Sequence, residues 1–173
     1  MTALINKTAI VTGASSGIGY ATAKLFAAQG ANVVVAARRQ QELDQLVEEI
    51  RADGGHAVAL AGDVTQASYA QALVEVAQSQ FGGLDVALNN VGTLGPVAPL
   101  IDISLADWQH TLDTNLTSAF LGAKHQIPAM VARGGGSLIF TSTFVGKTAG
   151  FPGLGAYAAS KAGLIGLVQA LAV

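Results

Sequence analysis

Two residues of opposite acid-base character, Tyr157 and Lys161, stand four positions apart near the carboxyl end of the chain. The pattern of Gly155 to Ala172 predicts a helix, so both side chains lie on one helix face. A phenol with a pKa of about 10 exchanges protons poorly at neutral pH, but a nearby ammonium stabilises the phenolate and lowers that pKa. The pair is therefore suited to general acid-base catalysis. The same spacing also occurs in surface helices, where the lysine is solvated and the ring covers apolar area.

A glycine-rich loop near the start of the chain has the arrangement of a phosphate site. The residues from Thr12 to Gly19 read TGASSGIG and stand between a predicted strand and an Ala-rich helix. Glycines let the backbone approach a pyrophosphate, and the dipole and free N–H groups of the following helix attract the anion. The loop therefore predicts a nucleotide site formed by Gly13, Ser15, Ser16, Gly17, Ile18 and Gly19. A glycine-rich turn without a ligand is the alternative.

The two motifs must be positioned by a fold, and the alternation of short apolar runs with longer helical segments along the chain predicts that fold. Short runs rich in β-branched residues are predicted as strands at Thr8–Thr12, Asn32–Ala37, His56–Ala61, Asp85–Asn89 and Ser137–Ser142. Helices are predicted at Gly17–Gln29, Gln40–Asp53, Gln66–Phe81, Leu105–Ala132 and Gly155–Ala172. The alternation is typical of an α/β fold, a Rossmann-type doubly wound parallel sheet in three layers. We expect residues 1–173 to form one dinucleotide-binding domain.

Composition narrows the class of protein further. The chain has 173 residues, 51% of them hydrophobic and 12% charged, which suits a well-buried globular domain. Apolar stretches are too short to cross a bilayer, so we expect a cytoplasmic protein without a membrane segment. A net charge of -2 does not favour nucleic-acid binding. With no cysteine and three scattered histidines, a metal site is not expected.

Four motifs in order carry a resemblance to a known family: TGxxxGxG from Thr12, Asn89-Asn90-Val91-Gly92, Asn115 and the Tyr157–Lys161 pair. Together they resemble the short-chain dehydrogenase/reductase family from Lys7 onward. The resemblance implies a nicotinamide dinucleotide and a reversible hydride transfer with a small carbonyl or alcohol substrate.

The resemblance also implies a role for individual residues. Tyr157 would be the general acid or base, Lys161 would bind the nicotinamide ribose and lower the pKa of the tyrosine, and Asn115 would belong to a water-linked proton path. Other residues would contact the cofactor, namely Asp63 and Val64 at the adenine, and Asn89, Val91 and Gly92 along the cleft. Asp63 could also be an ordinary helix cap.

The end of the second predicted strand bears on which nicotinamide cofactor is used. An acidic residue there binds the ribose 2'-hydroxyl of NAD, whereas an arginine accommodates the 2'-phosphate of NADP. This strand ends in Ala37, followed by Arg38 and Arg39. We therefore predict NADP(H), with Arg38 as the first phosphate partner, Arg39 as the second, and a hydroxyl from Ser15 or Ser16. Both arginines could instead be solvated residues at the start of a helix.

The resemblance also implies a second hydroxyl that, beside Tyr157, holds the substrate oxygen. At this position the chain departs from the usual family pattern. Members usually place a serine three positions before a glycine, and three positions before Gly146 stands Thr143, preceded by Ser142. Neighbouring strand residues point to opposite faces, so one hydroxyl is expected to enter the site. Thr143 is favoured and Ser142 remains the alternative.

The remaining predictions concern the chain as a whole. Family members normally continue beyond the position of Val173, so we expect an incomplete chain whose fifth strand has an exposed edge. The leading hypothesis is an NADP(H)-dependent oxidoreductase, and the alternative is a dinucleotide-binding fragment or subunit without turnover. By resemblance, the helices at Leu105–Ala132 and Gly155–Ala172 would form the interface of a homo-oligomer, a tetramer or a dimer. His110 and His125 are interpreted as packing or surface residues.

Overall fold

Five parallel strands form one sheet in the computed structural model, which describes residues 2–172. The strands are β1 (Thr8–Thr12), β2 (Asn32–Ala37), β3 (His56–Ala61), β4 (Val86–Asn89) and β5 (Ser137–Phe140). Their spatial order is β3-β2-β1-β4-β5. The sheet grows in one direction from β1 to β3 and in the other from β4 to β5, so a crevice opens between the carboxyl ends of β1 and β4. Open α/β sheets bind ligands at this switch point.

Helices cover both faces of the sheet. The helices are α1 (Gly17–Ala28), α2 (Gln40–Ala52), α3 (Ala67–Phe81), α4 (Leu105–Leu112), α5 (Ser118–Ala132) and α6 (Gly155–Leu171). One core cluster joins the sheet to α1 and α2, and a second joins the opposite face to α3 and α5. The predicted three-layer, doubly wound α/β fold is confirmed. Within residues 2–172, every helix is too short or too polar to span a bilayer.

The central strands are buried on both faces, which explains their continuous apolar runs. Every residue of β1 is buried, and in β2 only Asn32 is partly exposed. Successive side chains alternate between the two cores, so Val33 and Val35 face α1 and α2 while Val34 faces α3. A strand that packs against helices on both faces of the sheet has no polar face, so its sequence pattern does not show which residues face which helix layer.

The helix predicted over Leu105–Ala132 is interrupted in the structure. A π-helical turn over Asp113–Thr117 separates α4 from α5, and it contains Asn115. The π turn holds one extra residue per turn, a feature frequent at functional sites. Here it accompanies hydrogen bonds that pull the Asn115 side chain onto the backbone of Thr93. A helical pattern of apolar residues carries no sign of such tertiary hydrogen bonds, so the sequence predicted one helix.

The strands at the far side of the sheet are shorter than predicted. β4 begins at Val86, after Asp85, and β5 ends at Phe140 instead of Ser142. Thr141 still donates its N–H to the Asn89 carbonyl at 3.1 Å, but β4 ends there and supplies no further partner. The prediction that Ser142 and Thr143 alternate within a strand is therefore wrong, because both lie beyond the ladder.

Candidate active site

A cleft of about 980 Å³ opens at the carboxyl ends of the strands, where the topology predicts a ligand site. The glycine loop, the end of β2, the loop after β3 and the loop after β4 meet in it. It is lined by Gly13, Ser15, Ser16, Ala37, Arg38, Arg39, Gly62, Asp63, Val64, Thr65, Gln66, Asn90, Val91, Gly92, Thr93, His110, Asp113 and Thr114. The volume suits a cofactor-sized ligand.

The glycine loop packs closely against the start of α1. Gly13 and Gly17 have positive φ values of 68° and 57°, a conformation that favours glycine. A Cβ on Gly19 would overlap the Gly13 carbonyl and lie 2.9 Å from Asn90 Nδ2, so the backbone leaves no room for a side chain. The first turn of α1 carries no acidic residue, so its N–H groups present an unopposed positive end. The Ile18 side chain, in this turn, is 63% exposed.

Two arginines follow β2 at the edge of the cleft. Ala37 is buried at the strand end and offers no carboxylate there. Arg38 is exposed, whereas Arg39 contacts both Ser15 and Glu42. Its Nη2 donates to Ser15 Oγ at 3.1 Å and to the Ser15 carbonyl at 3.5 Å, and its Nη1 lies 3.0 Å from Glu42 Oε1. The structure therefore brings Arg39 to the glycine loop through Ser15.

Asp63 and Val64 line the cleft after β3. The backbone N–H of Thr65 donates to Asp63 Oδ1 at 2.9 Å, and this bond is the main cause that lowers the pKa of Asp63. Burial opposes the shift, and the charges of Arg38 and His110 reinforce it. Asp63 is therefore ionised at neutral pH.

His110 lies in the cleft, although the sequence suggested a packing or surface role. It projects from α4 on the same side as Asp113 and Thr114, which also line the cleft. The three residues are spaced i, i+3 and i+4, which places them on one helix face. That spacing is the signal by which a cleft-facing His110 could have been found.

The two adjacent asparagines at the carboxyl end of β4 point in different directions. Asn89, which was assigned to the cleft, pairs instead with Gln126 of α5 in the interior, at 2.8 and 3.1 Å. Asn90 lines the cleft. Its backbone N–H donates to Thr12 Oγ1 at 3.0 Å, and its Oδ1 accepts from Thr141 Oγ1 at 2.9 Å. Of the pair, the structure brings Asn90 and not Asn89 to the cleft.

Asn115 is only 2% exposed and is fixed by three hydrogen bonds. Its Oδ1 accepts from the Thr93 N–H at 2.8 Å, and its Nδ2 donates to the Thr93 carbonyl at 2.8 Å and to Ser160 Oγ at 2.9 Å. Asn115 thereby ties the π turn to the loop after β4 and to α6. A Cβ on Gly92 would lie 3.4 Å from Asn115 Oδ1, so Gly92 brings the cleft next to this residue.

Lys161 is also buried, with 4% of the residue exposed. Its Nζ donates to the Thr141 carbonyl at 2.8 Å and lies 6.0 Å from the centroid of the Tyr157 ring. Burial lowers the pKa of Lys161. A Cβ on Gly92 would lie 3.6 Å from Lys161 Nζ, so Lys161 and Asn115 meet the cleft at the same glycine.

The two candidate hydroxyls lie in the loop between β5 and α6. Thr143 is half-buried and its Oγ1 accepts from the Val145 N–H at 3.3 Å, whereas Ser142 is exposed. Gly146, three residues after Thr143, has a φ of 82°, and a Cβ there would overlap the Ala158 carbonyl of α6. Close packing on α6 therefore accounts for a glycine at this position.

Thr141 joins the two halves of the site, and sequence analysis missed it. Its hydroxyl bonds to Asn90 beside the glycine loop, while its carbonyl accepts from Lys161. Thr141, Asn115 and Lys161 also line a small cavity of about 20 Å³ under the site. That volume is sufficient for about one water molecule. No local pattern in the sequence singles out Thr141.

The chain is similar to known proteins over nearly its whole length. A family model described as short chain dehydrogenase matches residues 7–173. A cyclohexanol dehydrogenase of Acinetobacter sp. (strain SE19) is 39% identical over 168 residues, which are 97% of this chain and 66% of that protein. A 3-oxoacyl-[acyl-carrier-protein] reductase of Synechocystis sp. is 39% identical over 173 residues, 99% of this chain and 69% of that protein.

The fold also matches solved structures. The crystal structure of a short-chain type dehydrogenase/reductase from Mycobacterium marinum has a TM-score of 0.92 and 36% sequence identity. The match covers 98% of this chain and 69% of that one. The chain therefore spans about two thirds of the length of the relatives that it matches.

Proposed function

The chain belongs to the short-chain dehydrogenase family, and from this premise we propose that it transfers a hydride between NADP(H) and a small carbonyl or secondary-alcohol substrate. The observation that carries the proposal is the continuity of one cleft. It begins at the glycine loop and reaches Gly92, where the buried Lys161 and Asn115 side chains stand next to it.

The residues of the cleft fit a dinucleotide. The loop from Gly13 to Gly19 and the positive end of α1 suit a diphosphate, since both offer N–H groups and neither carries an acidic side chain. Asp63 and Val64 are available to the adenine, and Val91 and Gly92 line the path toward Lys161. When bound there, the nicotinamide would supply or accept the hydride.

The preference for NADP(H) is supported by charge at the end of β2. A 2'-phosphate would meet Arg38, Arg39 and Ser15, and the buried Ala37 offers no carboxylate to repel it. Arginine suits this task because its planar guanidinium can bind a phosphate through two parallel N–H groups.

Tyr157 is the proposed proton donor in carbonyl reduction and acceptor in alcohol oxidation. Negative charge builds on the substrate oxygen as the hydride arrives, and a phenol in hydrogen-bond reach can protonate it. Lys161 is held beside the ring by the Thr141 carbonyl and is proposed to bind the nicotinamide ribose. Asn115 and the small cavity below it would complete a water-linked proton path.

Thr143 is the proposed second hydroxyl that holds the substrate oxygen, with Ser142 as the alternative. The half-buried position of Thr143 favours it over the exposed Ser142. The Thr143 hydroxyl accepts from the Val145 N–H, so its own proton remains available to donate.

We also propose that copies of the chain associate through α4, α5 and α6 as a dimer or tetramer. The apolar side chains of Leu105 and Phe120 are 81% and 49% exposed, and Val168 of α6 is 41% exposed. Large exposed apolar side chains on these three helices suit an interface between copies. A monomer in sedimentation experiments would contradict the proposal.

The proposed function is tested by separating cofactor binding from turnover. NADPH and NADH are each titrated by the change in tryptophan fluorescence, and their oxidation is followed with cyclohexanone and a 3-oxoacyl thioester. These substrates are chosen because two relatives are named a cyclohexanol dehydrogenase and a 3-oxoacyl-[acyl-carrier-protein] reductase. The expected result is tighter NADPH binding and turnover that Tyr157→Phe lowers by about 10²-fold or more without weakening binding.

Each other outcome has a distinct meaning. NADPH binding without turnover would favour the alternative of a dinucleotide-binding fragment or subunit. A clear preference for NADH would overturn the cofactor assignment, and full activity of Tyr157→Phe would overturn the role of the tyrosine.

A further inference from the structure

The ion pair between Arg39 and Glu42 lies at the end of the cleft where a 2'-phosphate would bind. Arg39 lines the cleft at the start of α2, and Glu42 belongs to the first turn of that helix. Arg39 Nη1 lies 3.0 Å from Glu42 Oε1, while Nη2 donates to Ser15 Oγ at 3.1 Å. The two terminal nitrogens of the guanidinium thus face different partners.

We propose that Glu42 is a specificity-determining residue that limits the preference for NADP(H) over NAD(H) by competing for Arg39. The inference rests on the proposed function, because it requires a dinucleotide in the cleft. A guanidinium binds phosphate most tightly when two of its N–H groups point at phosphate oxygens in parallel. A phosphate that reaches Arg39 therefore competes with Glu42 for Nη1.

Arg38 provides an internal contrast. It also lines the cleft, but none of the ion pairs formed within residues 2–172 includes it. Its attraction for a phosphate therefore does not depend on Glu42 in the way that the attraction of Arg39 does. The effect of Glu42 on cofactor choice passes through Arg39, so it should vanish when Arg39 is replaced.

The expected size of the Glu42 effect follows from the solvent exposure of the two paired side chains. The Arg39 and Glu42 side chains are 55% and 38% exposed, so solvent screens their attraction. Exposed ion pairs of this kind change a dissociation constant by up to about fivefold, the ratio equivalent to about 1 kcal/mol. Removing the Glu42 charge should therefore tighten binding of a 2'-phosphate by about this factor.

The test compares two ligands that differ only in the 2'-phosphate. Calorimetry gives the dissociation constants of adenosine 2',5'-bisphosphate and adenosine 5'-monophosphate for the wild type, Glu42→Gln and Glu48→Gln. Glu48 is exposed on the same helix, so Glu48→Gln makes the same change in net charge without touching Arg39. Glu42→Gln should tighten the bisphosphate about fivefold and leave the monophosphate unchanged, and Glu48→Gln should change neither. On an Arg39→Met background, Glu42→Gln should have no effect.

The outcomes separate this inference from the proposed function. A wild type that binds both ligands equally, or neither, contradicts the proposed NADP(H) function and the inference with it. A wild-type preference for the bisphosphate that Glu42→Gln leaves unchanged overturns the inference alone. Equal tightening by Glu48→Gln also overturns it, because the cause would then be net charge.

Discussion

Replacement of Asp85 by Asn should lower the free energy of unfolding by about 3 kcal/mol at neutral pH. The Asp85 side chain is 7% exposed and accepts three hydrogen bonds at the amino end of β4. The donors are the Thr8 N–H at 2.9 Å, Lys7 Nζ at 3.2 Å and Arg133 Nη2 at 3.0 Å. Asp85 thus joins β1, β4 and the segment after α5.

The magnitude follows from the exposure of each donor. The Thr8 N–H is buried, and a buried hydrogen bond to a charged acceptor contributes about 1.5–3 kcal/mol. The Lys7 and Arg133 side chains are 52% and 33% exposed, so each ion pair contributes at most about 1 kcal/mol after screening. Asn can still accept from one donor, which leaves a net loss of about 3 kcal/mol.

The loss should depend on pH in a defined direction. Burial favours the neutral form of Asp85, but the hydrogen bonds from Thr8, Lys7 and Arg133 outweigh it and lower the pKa of the carboxyl group. A depressed carboxyl pKa stabilises the fold above the unfolded pKa of about 3.9, and that stabilisation disappears as the pH falls through the folded pKa. The difference between wild type and Asp85→Asn should therefore be constant above about pH 5 and shrink in acid.

The assay is urea unfolding followed by tryptophan fluorescence at a series of pH values. Asp102→Asn is the control, since Asp102 is exposed and the substitution removes the same charge. The reasoning is refuted by a loss below about 1 kcal/mol, by a loss as large for Asp102→Asn, or by a difference that does not change in acid.

Two further predictions concern the proposed site. Gly19→Ala should weaken NADPH binding by about 10²-fold or more, because its Cβ would overlap the Gly13 carbonyl in the phosphate loop, as fluorescence titration can measure. The control is Gly54→Ala, at a positive φ with open space around it, which should keep full NADPH binding. Equal losses of NADPH affinity in both variants would contradict a role for the close approach of Gly19 to the Gly13 carbonyl. Thr143→Ala should lower kcat by about 10²-fold while Ser142→Ala changes it little, and the reverse result in steady-state kinetics would assign the second hydroxyl to Ser142.

Much of the framework could be predicted because its causes are local. The first three strands were predicted with the boundaries that the structure has, since runs such as Asn32–Ala37 are bounded by glycine and charged residues. Ser104 stands directly before α4 and caps it by accepting from the Asp107 N–H, three residues along the chain. Gly30 and Gly82 adopt positive φ values at the ends of α1 and α3, where glycine commonly ends a helix.

The site could be predicted only in part, because its details depend on contacts between distant segments. The π turn around Asn115 accompanies hydrogen bonds to Thr93, 22 residues earlier in the chain. Thr141 belongs to the site only because it lies next to the end of β4 and because Lys161 of α6 donates to its carbonyl. Neither arrangement leaves a periodic signal in the sequence.

The sequence by itself determined the alternation of strands and helices, the glycine loop and the spacing of Tyr157 and Lys161, because these depend on residues close together in the chain. Only the tertiary structure decided that Asn90 faces the cleft while Asn89 pairs with Gln126. A parallel strand covered on both faces has no polar side, so its pattern cannot show which neighbour points into which layer. The packing of α5 on β4 makes that choice.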